Sequence, residues 1–257
     1  MSGQTGASEV TDELGRRVVT GRYRPGTLMP SVRKLAEEFE ISKSTAQVAL
    51  SRLEASRFVV AERGRGFIVQ DVRRHGGFDV YATVFRLSMA DPDQAIAIFA
   101  DVVHLGRDLL IDLLGDYFQL PARPDSAPLL AIVDAMEAAA LQPEVDLSAF
   151  LATEFDLLRE IACTIGQSAA VALLNSLSGV ITDVPEAVDA YYSADPSAHV
   201  LIWRAIINAF NRPDPPHEAE YSLVSDMLAL YHQRVIDRFT TLVAPPGRHT
   251  HPAAETA

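Results

Sequence analysis

PSVRKLAEEFEISKSTAQVALSRL, residues 30–53, reads as two short helices joined by a tight turn. Ser31, directly after Pro30, can cap the first helix through its hydroxyl, and Leu35, Ala36 and Phe39 then recur at helical spacing. Glu40-Ile41-Ser42 makes the turn, with Ser42 as a second N-cap and Ile41 placed to staple onto Ala46. On the second helix Ala46, Leu50 and Leu53 share a face, while Lys43, Ser44, Gln47 and Ser51 lie elsewhere on it. A polar, partly basic helix start backed by an apolar stripe suits entry into a DNA major groove, with packing behind. An ordinary helical hairpin carries the same pattern, so the flanks must decide.

Upstream, Arg22-Tyr-Arg-Pro-Gly-Thr-Leu-Met-Pro-Ser leads into the first helix. Downstream, Phe58-Val-Val-Ala-Glu, a basic glycine-rich turn Arg63-Gly-Arg-Gly and Phe67-Ile-Val predict a β-hairpin, or wing. With these flanks residues 9–70 resemble the GntR family of bacterial transcription regulators. The resemblance is carried by Pro25-Gly26, Leu28, Pro30-Ser31, Arg33, Leu35-Ala36, Ser42, Thr45, Ala49-Leu50, Leu53, Gly64, Gly66 and Val69. The sequence departs from the family pattern at Glu40 and Arg57, both usually glycine, at Ala46, usually valine, and at Gln47, usually arginine. The resemblance implies a winged helix-turn-helix on double-stranded operator DNA. Arg33 would hold phosphate, and Ser42, Lys43, Ser44, Thr45 and Gln47 would lie toward the major groove. Arg63, Gly64 and Arg65 would reach the minor groove from the wing tip. Glutamine is a bidentate partner for adenine, so the Gln47 departure trades an arginine contact for a different base preference. A homodimer on two half-sites follows from the same resemblance.

The formal charge of −12 divides unevenly: residues 1–74 hold 13 Lys+Arg against 9 Asp+Glu, and residues 75–257 hold 9 against 25. A basic head can neutralise phosphate locally while an acidic body stays outside the DNA, so the halves call for different partners. At 257 residues the chain can bury a sizeable core in one domain or two. The start lacks the basic and apolar segments of a signal peptide, and no apolar run approaches the roughly 18 residues of a membrane helix. Cys163 is the lone cysteine, which excludes an intrachain disulfide and a four-cysteine metal cage. The composition therefore predicts a cytoplasmic protein away from membranes.

The expected fold is mainly α: a winged helix-turn-helix over residues 1–71, a linker at 72–78, an all-α helical-bundle effector and dimerisation domain at 79–244, and a disordered tail at 245–257. Residues 9–20 predict a first helix capped by Ser8 and broken by Gly21. Arg73-Arg74-His75-Gly76-Gly77 marks the hinge. Beyond it, helical spacing runs over 92–118, 127–141, 146–163, 167–182, 197–210 and 218–243, about six helices separated by prolines.

A winged helix followed by an all-helical domain of this size is similar to the FadR subfamily. Many members hold a metal there through an aspartate and three histidines, with a small carboxylate completing the shell. In that frame Glu154 stands for the aspartate, Leu158 falls where the first histidine belongs, and His199 fits the second. The third would fall near Ala229, three residues from His232. Glu154 and His199 alone are too few ligands for a first-row metal, so no metal and no cofactor is expected. The plain reading leaves His199 hydrogen-bonded in the bundle or at its surface, and Glu154 in a solvated pair with Arg159 or another cation. Residues 154–177, with Leu157-Leu158, Arg159, Ala162, Gly166 and Leu174-Asn175, and Tyr191-Tyr192 beyond them, are nearer to the subfamily's metal-less, acyl-CoA-responsive branch. That implies a repressor released by a fatty acyl-CoA or fatty acid, with Arg107, Glu154, Leu158, His199 and Trp203 as the effector-binding set. Arg107 could equally pair with a neighbouring acid, and Trp203 could equally be plain core. The alternatives are a metal- and carboxylate-sensing regulator, a small-molecule enzyme using Glu154 and His199 as acid and base, and an architectural DNA binder.

Overall fold

The computed structural model describes residues 6–192, 195–212 and 217–244; the expected tail at 245–257 and the prolines at 213–216 lie outside the described residues. The chain opens with α1 (Ala7–Val19), α2 (Val32–Glu38) and α3 (Lys43–Ala55), then the strands β1 (Val59–Glu62) and β2 (Gly66–Val69). Helix α1 begins before the expected Ser8 cap: Gly6 is the cap residue, and its N–H donates to the Glu9 carboxylate at 3.1 Å. Ser31 Oγ accepts the Lys34 N–H at 3.3 Å, and Ser42 Oγ accepts the Thr45 N–H at 3.1 Å, so both expected serine caps form. Val10, Leu14 and Val18 of α1 bury against Leu35, Ala46, Leu50, Leu53 and Phe58. The wing is an antiparallel pair in register from Val59 opposite Val69 to Glu62 opposite Gly66.

Residues 72–78 are structured where a linker is expected. Asp71 caps α4 (Val72–His75), Val72 is buried, and α5 (Phe78–Ser88) starts immediately after Gly77. The expectation treated the charges and glycines as unable to bury anything, whereas Val72 supplies the apolar anchor and the basic residues point to water. Helix α5 then lies between the two parts of the chain. Leu87 is buried, and a Cβ on Gly15 of α1 would come within 2.8 Å of its Cδ1. Arg86 and Asp12 close the same seam with an ion pair at 2.9 Å.

The remaining helices are α6 (Pro92–Phe118), α7 (Ala127–Ala140), α8 (Leu147–Thr164), α9 (Ser168–Thr182), α10 (Pro185–Tyr191), α11 (Pro196–Phe210) and α12 (Glu218–Val243). With α5 this makes eight helices in the bundle among the described residues, not six. Helix α10 went unread because Pro185 looks like a breaker; it sits in the first turn, where its fixed φ and missing N–H are harmless. Helix α12 packs along α6 and α10, α8 lies between α7 and α9, and α11 rests on α7. Phe99 and Phe239 meet at 4.2 Å between ring centroids at one end of the core, and Tyr117 and Phe210 at 4.2 Å at the other. Among the described residues no single helix is long and apolar enough to cross a membrane.

Two backbone positions are strained. Glu40, in the turn between α2 and α3, has φ of 54°, and Arg57, after α3, has φ of 58°. These are the two positions where the family pattern has glycine, and a Cβ in left-handed backbone costs roughly 1–2 kcal/mol. Glycine pays part of that back as unfolded-state entropy. Glu40→Gly and Arg57→Gly should each stabilise the protein by about 1 kcal/mol, read as a higher urea midpoint at unchanged slope. A lowered midpoint for either variant would show that the side chain's own contacts outweigh the strain.

Candidate functional site

The exposed side of α3 carries Lys43, Ser44 and Gln47, with Thr45 half-buried beside them, while Ala46, Ala49, Leu50 and Leu53 face the core. Ser42 is occupied within this group: its Oγ lies 2.7 Å from Ser44 Oγ and 2.8 Å from Thr45 Oγ1. The cap thereby fixes the first turn of the helix, whose side chains stand clear of the body. Arg33 pairs with Glu37 at 3.1 Å and Arg65 with Glu62 at 2.7 Å. Exposed pairs of this kind contribute under about 1 kcal/mol, so a phosphate can displace either carboxylate. Arg63 and Gly64 form the exposed wing tip, and Gly64 takes φ of +79°, a turn conformation suited to glycine. Arg17 is engaged differently: it reaches Glu13 at 2.9 Å and Tyr23 at 3.1 Å and stacks 5.1 Å over Phe39, so this cation belongs to the domain's interior.

The bundle encloses a cavity of about 720 Å³ bounded by α6, α8, α9, α11 and α12. Its walls are apolar, built from residues such as Leu110, Leu151, Phe155, Leu158, Leu177 and Ile206. The opening runs along α12, where Leu223, Met227 and Leu230 line the cavity yet remain 60, 59 and 66% exposed. Arg212 and Arg234 also border it. Arg212 pairs with Glu220 at 2.9 Å, and Arg234 has no ion pair among the described residues.

One polar cluster interrupts the apolar wall. Glu154 of α8 is buried, and its Oε1 accepts from Trp203 Nε1 at 2.7 Å and from His199 Nδ1 at 3.0 Å. Its Oε2 accepts the Tyr192 hydroxyl at 2.8 Å. His199 Nε2 lies 3.0 Å from the Tyr231 hydroxyl, which itself donates to the Tyr191 carbonyl. Tyr231 therefore accepts from His199, and both imidazole nitrogens carry protons. Burial alone would raise the Glu154 pKa, but the His199 charge and the three donors outweigh it and hold the carboxyl below its usual range. Burial alone would lower the His199 pKa, and the adjacent carboxylate raises it instead. The pair is a buried carboxylate and imidazolium, each fully hydrogen-bonded. His232, one residue beyond Tyr231, is 6% exposed, and its Nδ1 lies 2.7 Å from the Leu228 carbonyl. Burial pushes its pKa down to about 4, with Arg107 and His104 acting in the same direction.

Of the residues expected to bind an effector, Glu154, Leu158, His199 and Trp203 line the cavity together; Arg107 does not. Arg107 forms its ion pair with the adjacent Asp108 at 2.8 Å. Glu154 is not in a solvated pair with Arg159, which bonds Asp156 at 2.6 Å. Tyr231 was missed, while Tyr192 and His232 were named only through family patterns and not placed in this site. A tyrosine–histidine step falling on the buried side of a long helix was the available signal. A metal does not fit: both His199 nitrogens and both Glu154 oxygens are committed. Among the described residues no three His, Cys, Asp or Glu side chains gather as a metal site.

Comparison with known proteins agrees with the head domain. Residues 7–69 match the family described as bacterial regulatory proteins, gntR family. The chain is 39% identical over 72 residues to the HTH-type transcriptional regulator Mce2R of Mycobacterium tuberculosis, a match spanning 28% of this chain and 30% of that one. A fatty acid metabolism regulator protein of Klebsiella pneumoniae is 22% identical over 198 residues, 77% of each chain. The solved structure of E. coli McbR/YncC aligns over 95% of this chain and 100% of its own, at 14% identity and a TM-score of 0.44. Residues 7–69 thus form a helix-turn-helix domain of the gntR family. The matched family is one of DNA-binding regulators and not of enzymes.

The buried pair sets a pH signature. The His199 contribution is complete below its ordinary value of 6.5 and is lost as pH rises through the raised folded-state pKa. The Glu154 contribution is present above 4.5 and is lost as pH falls through the lowered one. His199→Phe, which strands the carboxylate, should cost about 3–5 kcal/mol at pH 6, and the gap to wild type should narrow toward pH 9. Urea midpoints at the two pH values check this. A gap that does not change with pH would mean the histidine acts as packing alone.

Proposed function

We propose that this gntR-family regulator works as a cytoplasmic homodimer that represses transcription from a pseudo-palindromic operator and is released when a fatty acyl-CoA or fatty acid enters the bundle cavity. Residues 1–71 serve as the DNA-binding domain and 79–244 as the effector and dimerisation domain. The single observation behind the effector class is the open cavity of about 720 Å³ with its apolar wall and cationic edge. An alkyl chain gains about 0.8 kcal/mol for each methylene buried in such a space, while an anionic head remains near Arg212. The resemblance of most of the chain to a fatty acid metabolism regulator supports the same class. A small carboxylate bound through a metal is the weaker reading, since the groups that would ligate it are bonded to one another.

On the DNA side, Lys43, Arg33, Arg63 and Arg65 neutralise phosphate, the Gly64 turn lets the wing approach closely, and Ser44, Thr45 and Gln47 face base edges behind the Ser42 cap. Release requires the effector to bind the DNA-free arrangement more tightly than the DNA-bound one. Lys43→Ala should weaken binding to every DNA sequence and reduce the salt slope by about one charge. Gln47→Ala should relax selectivity at one base position at a cost of about 1–3 kcal/mol on the operator. Fluorescence anisotropy on operator and random duplexes separates these outcomes, and equal losses on both for Gln47→Ala would overturn its base-reading role. Titrating palmitoyl-CoA into the preformed complex should return the anisotropy to that of free DNA. An unchanged signal at saturating ligand would count against the effector class.

A further inference from the structure

The polar groups of the cavity are not all spent. His232 Nδ1 can approach the Leu228 carbonyl at 2.7 Å only as a donor, which leaves Nε2 of the neutral ring as a lone-pair acceptor. That nitrogen has no hydrogen-bond partner among the described residues, although the side chain is 94% buried and lines the cavity. Tyr191 lines the same wall with its ring centroid 6.4 Å from that of His232, and its hydroxyl likewise has no partner among the described residues. The Glu154 carboxylate in the same wall is already saturated on Oε1 by Trp203 and His199 and carries the Tyr192 bond on Oε2. Among the described residues this part of the wall therefore offers one acceptor and one hydroxyl, beside a carboxylate whose donors are all engaged.

We infer that the buried end of the effector carries a hydroxyl group, which donates to His232 Nε2 and accepts from the Tyr191 hydroxyl. The ligand class is a hydroxylated alkyl amphiphile, anionic at the opening and bearing its alcohol deep in the bundle. A carboxylate is excluded from the inner position, because it would face the Glu154 charge with no donor except Tyr191 to receive it. An unsubstituted methyl terminus would enter but leave both groups unpaired, which is the situation in which a polar pocket discriminates. This inference rests on the cavity being the effector site and adds which chain termini it prefers.

The matched probes are dodecanoic acid and 12-hydroxydodecanoic acid, which share the anionic head and chain length. Isothermal titration of the full-length protein should show the hydroxy acid binding roughly five- to tenfold tighter, the effect of one well-placed hydrogen-bonded group. His232→Phe keeps an aromatic ring and removes the acceptor. It should abolish or invert that preference. Tyr191→Phe, which deletes one oxygen, provides a second reading should the first variant fold poorly, and should reduce the preference several-fold. If wild type binds the plain acid more tightly, or if neither variant alters the ratio, the inner hydroxyl site is refuted and the cavity assignment stands. If neither acid binds at all, the cavity assignment itself falls and takes this inference with it.

Discussion

A carboxylate cannot sit in an apolar bundle without partners, and the helical body is arranged around that requirement. Glu154 comes from α8, Tyr192 from the end of α10, His199 and Trp203 from α11, and Tyr231 from α12. Four helices that share little sequence proximity are thereby tied to one charge. An isolated ion at this depth would be driven to neutralise. Here three donors, one of them an imidazolium, keep it ionised, and the donors fix the rotation of each helix about its axis. Specificity of arrangement, more than net stability, is what such a buried pair supplies, since an apolar replacement of equal volume can be as stable.

The cavity follows from the same arrangement. With α11 held by His199 and Trp203, and α12 held in mid-helix by Tyr231 and in its first turn by Tyr221 against α6, the stretch of α12 between those two anchors borders the cavity. Leu223, Met227 and Leu230 therefore line a space and meet solvent at once. Exposed leucines and methionines on one face of a helix usually mark a contact surface. Here they edge the opening into the bundle.

The six long helices were legible because each carries enough apolar residues at helical spacing and is separated from the next by proline or polar residues. The serine caps at Ser31 and Ser42 and the hairpin around Arg63-Gly64-Arg65 were legible for similar local reasons. Helices α4, α5 and α10 were not, since their stability comes from what they pack on: Val72 in its pocket, Leu87 against α1, and Ala187 and Val188 against neighbouring helices. The polar cluster was legible at Glu154, His199 and Trp203, through a family pattern. Which atoms Glu154 and His199 would bond depended on tyrosines far away in the chain. Arg107 shows the converse failure, where a charge placed by pattern alone turned to the acid next to it. Glu40 and Arg57 show that a departure from a family glycine need not change the backbone, because the left-handed conformation persists under a different side chain.

The seam between Gly15 and Leu87 bears on how such proteins can be recombined. Helix α1 is shared: one side completes the helix-turn-helix core and the other accepts α5, so the first residues of the chain are matched to residues beyond the wing. A splice made after β2 would present Leu87 and Arg86 to a foreign α1, where a side chain at the place of Gly15 would force the end of the leucine to shift. Grafting a new helix-turn-helix domain onto this helical body would succeed more readily if the crossover lay beyond Ser88, so that α1 and α5 travel as one inherited block.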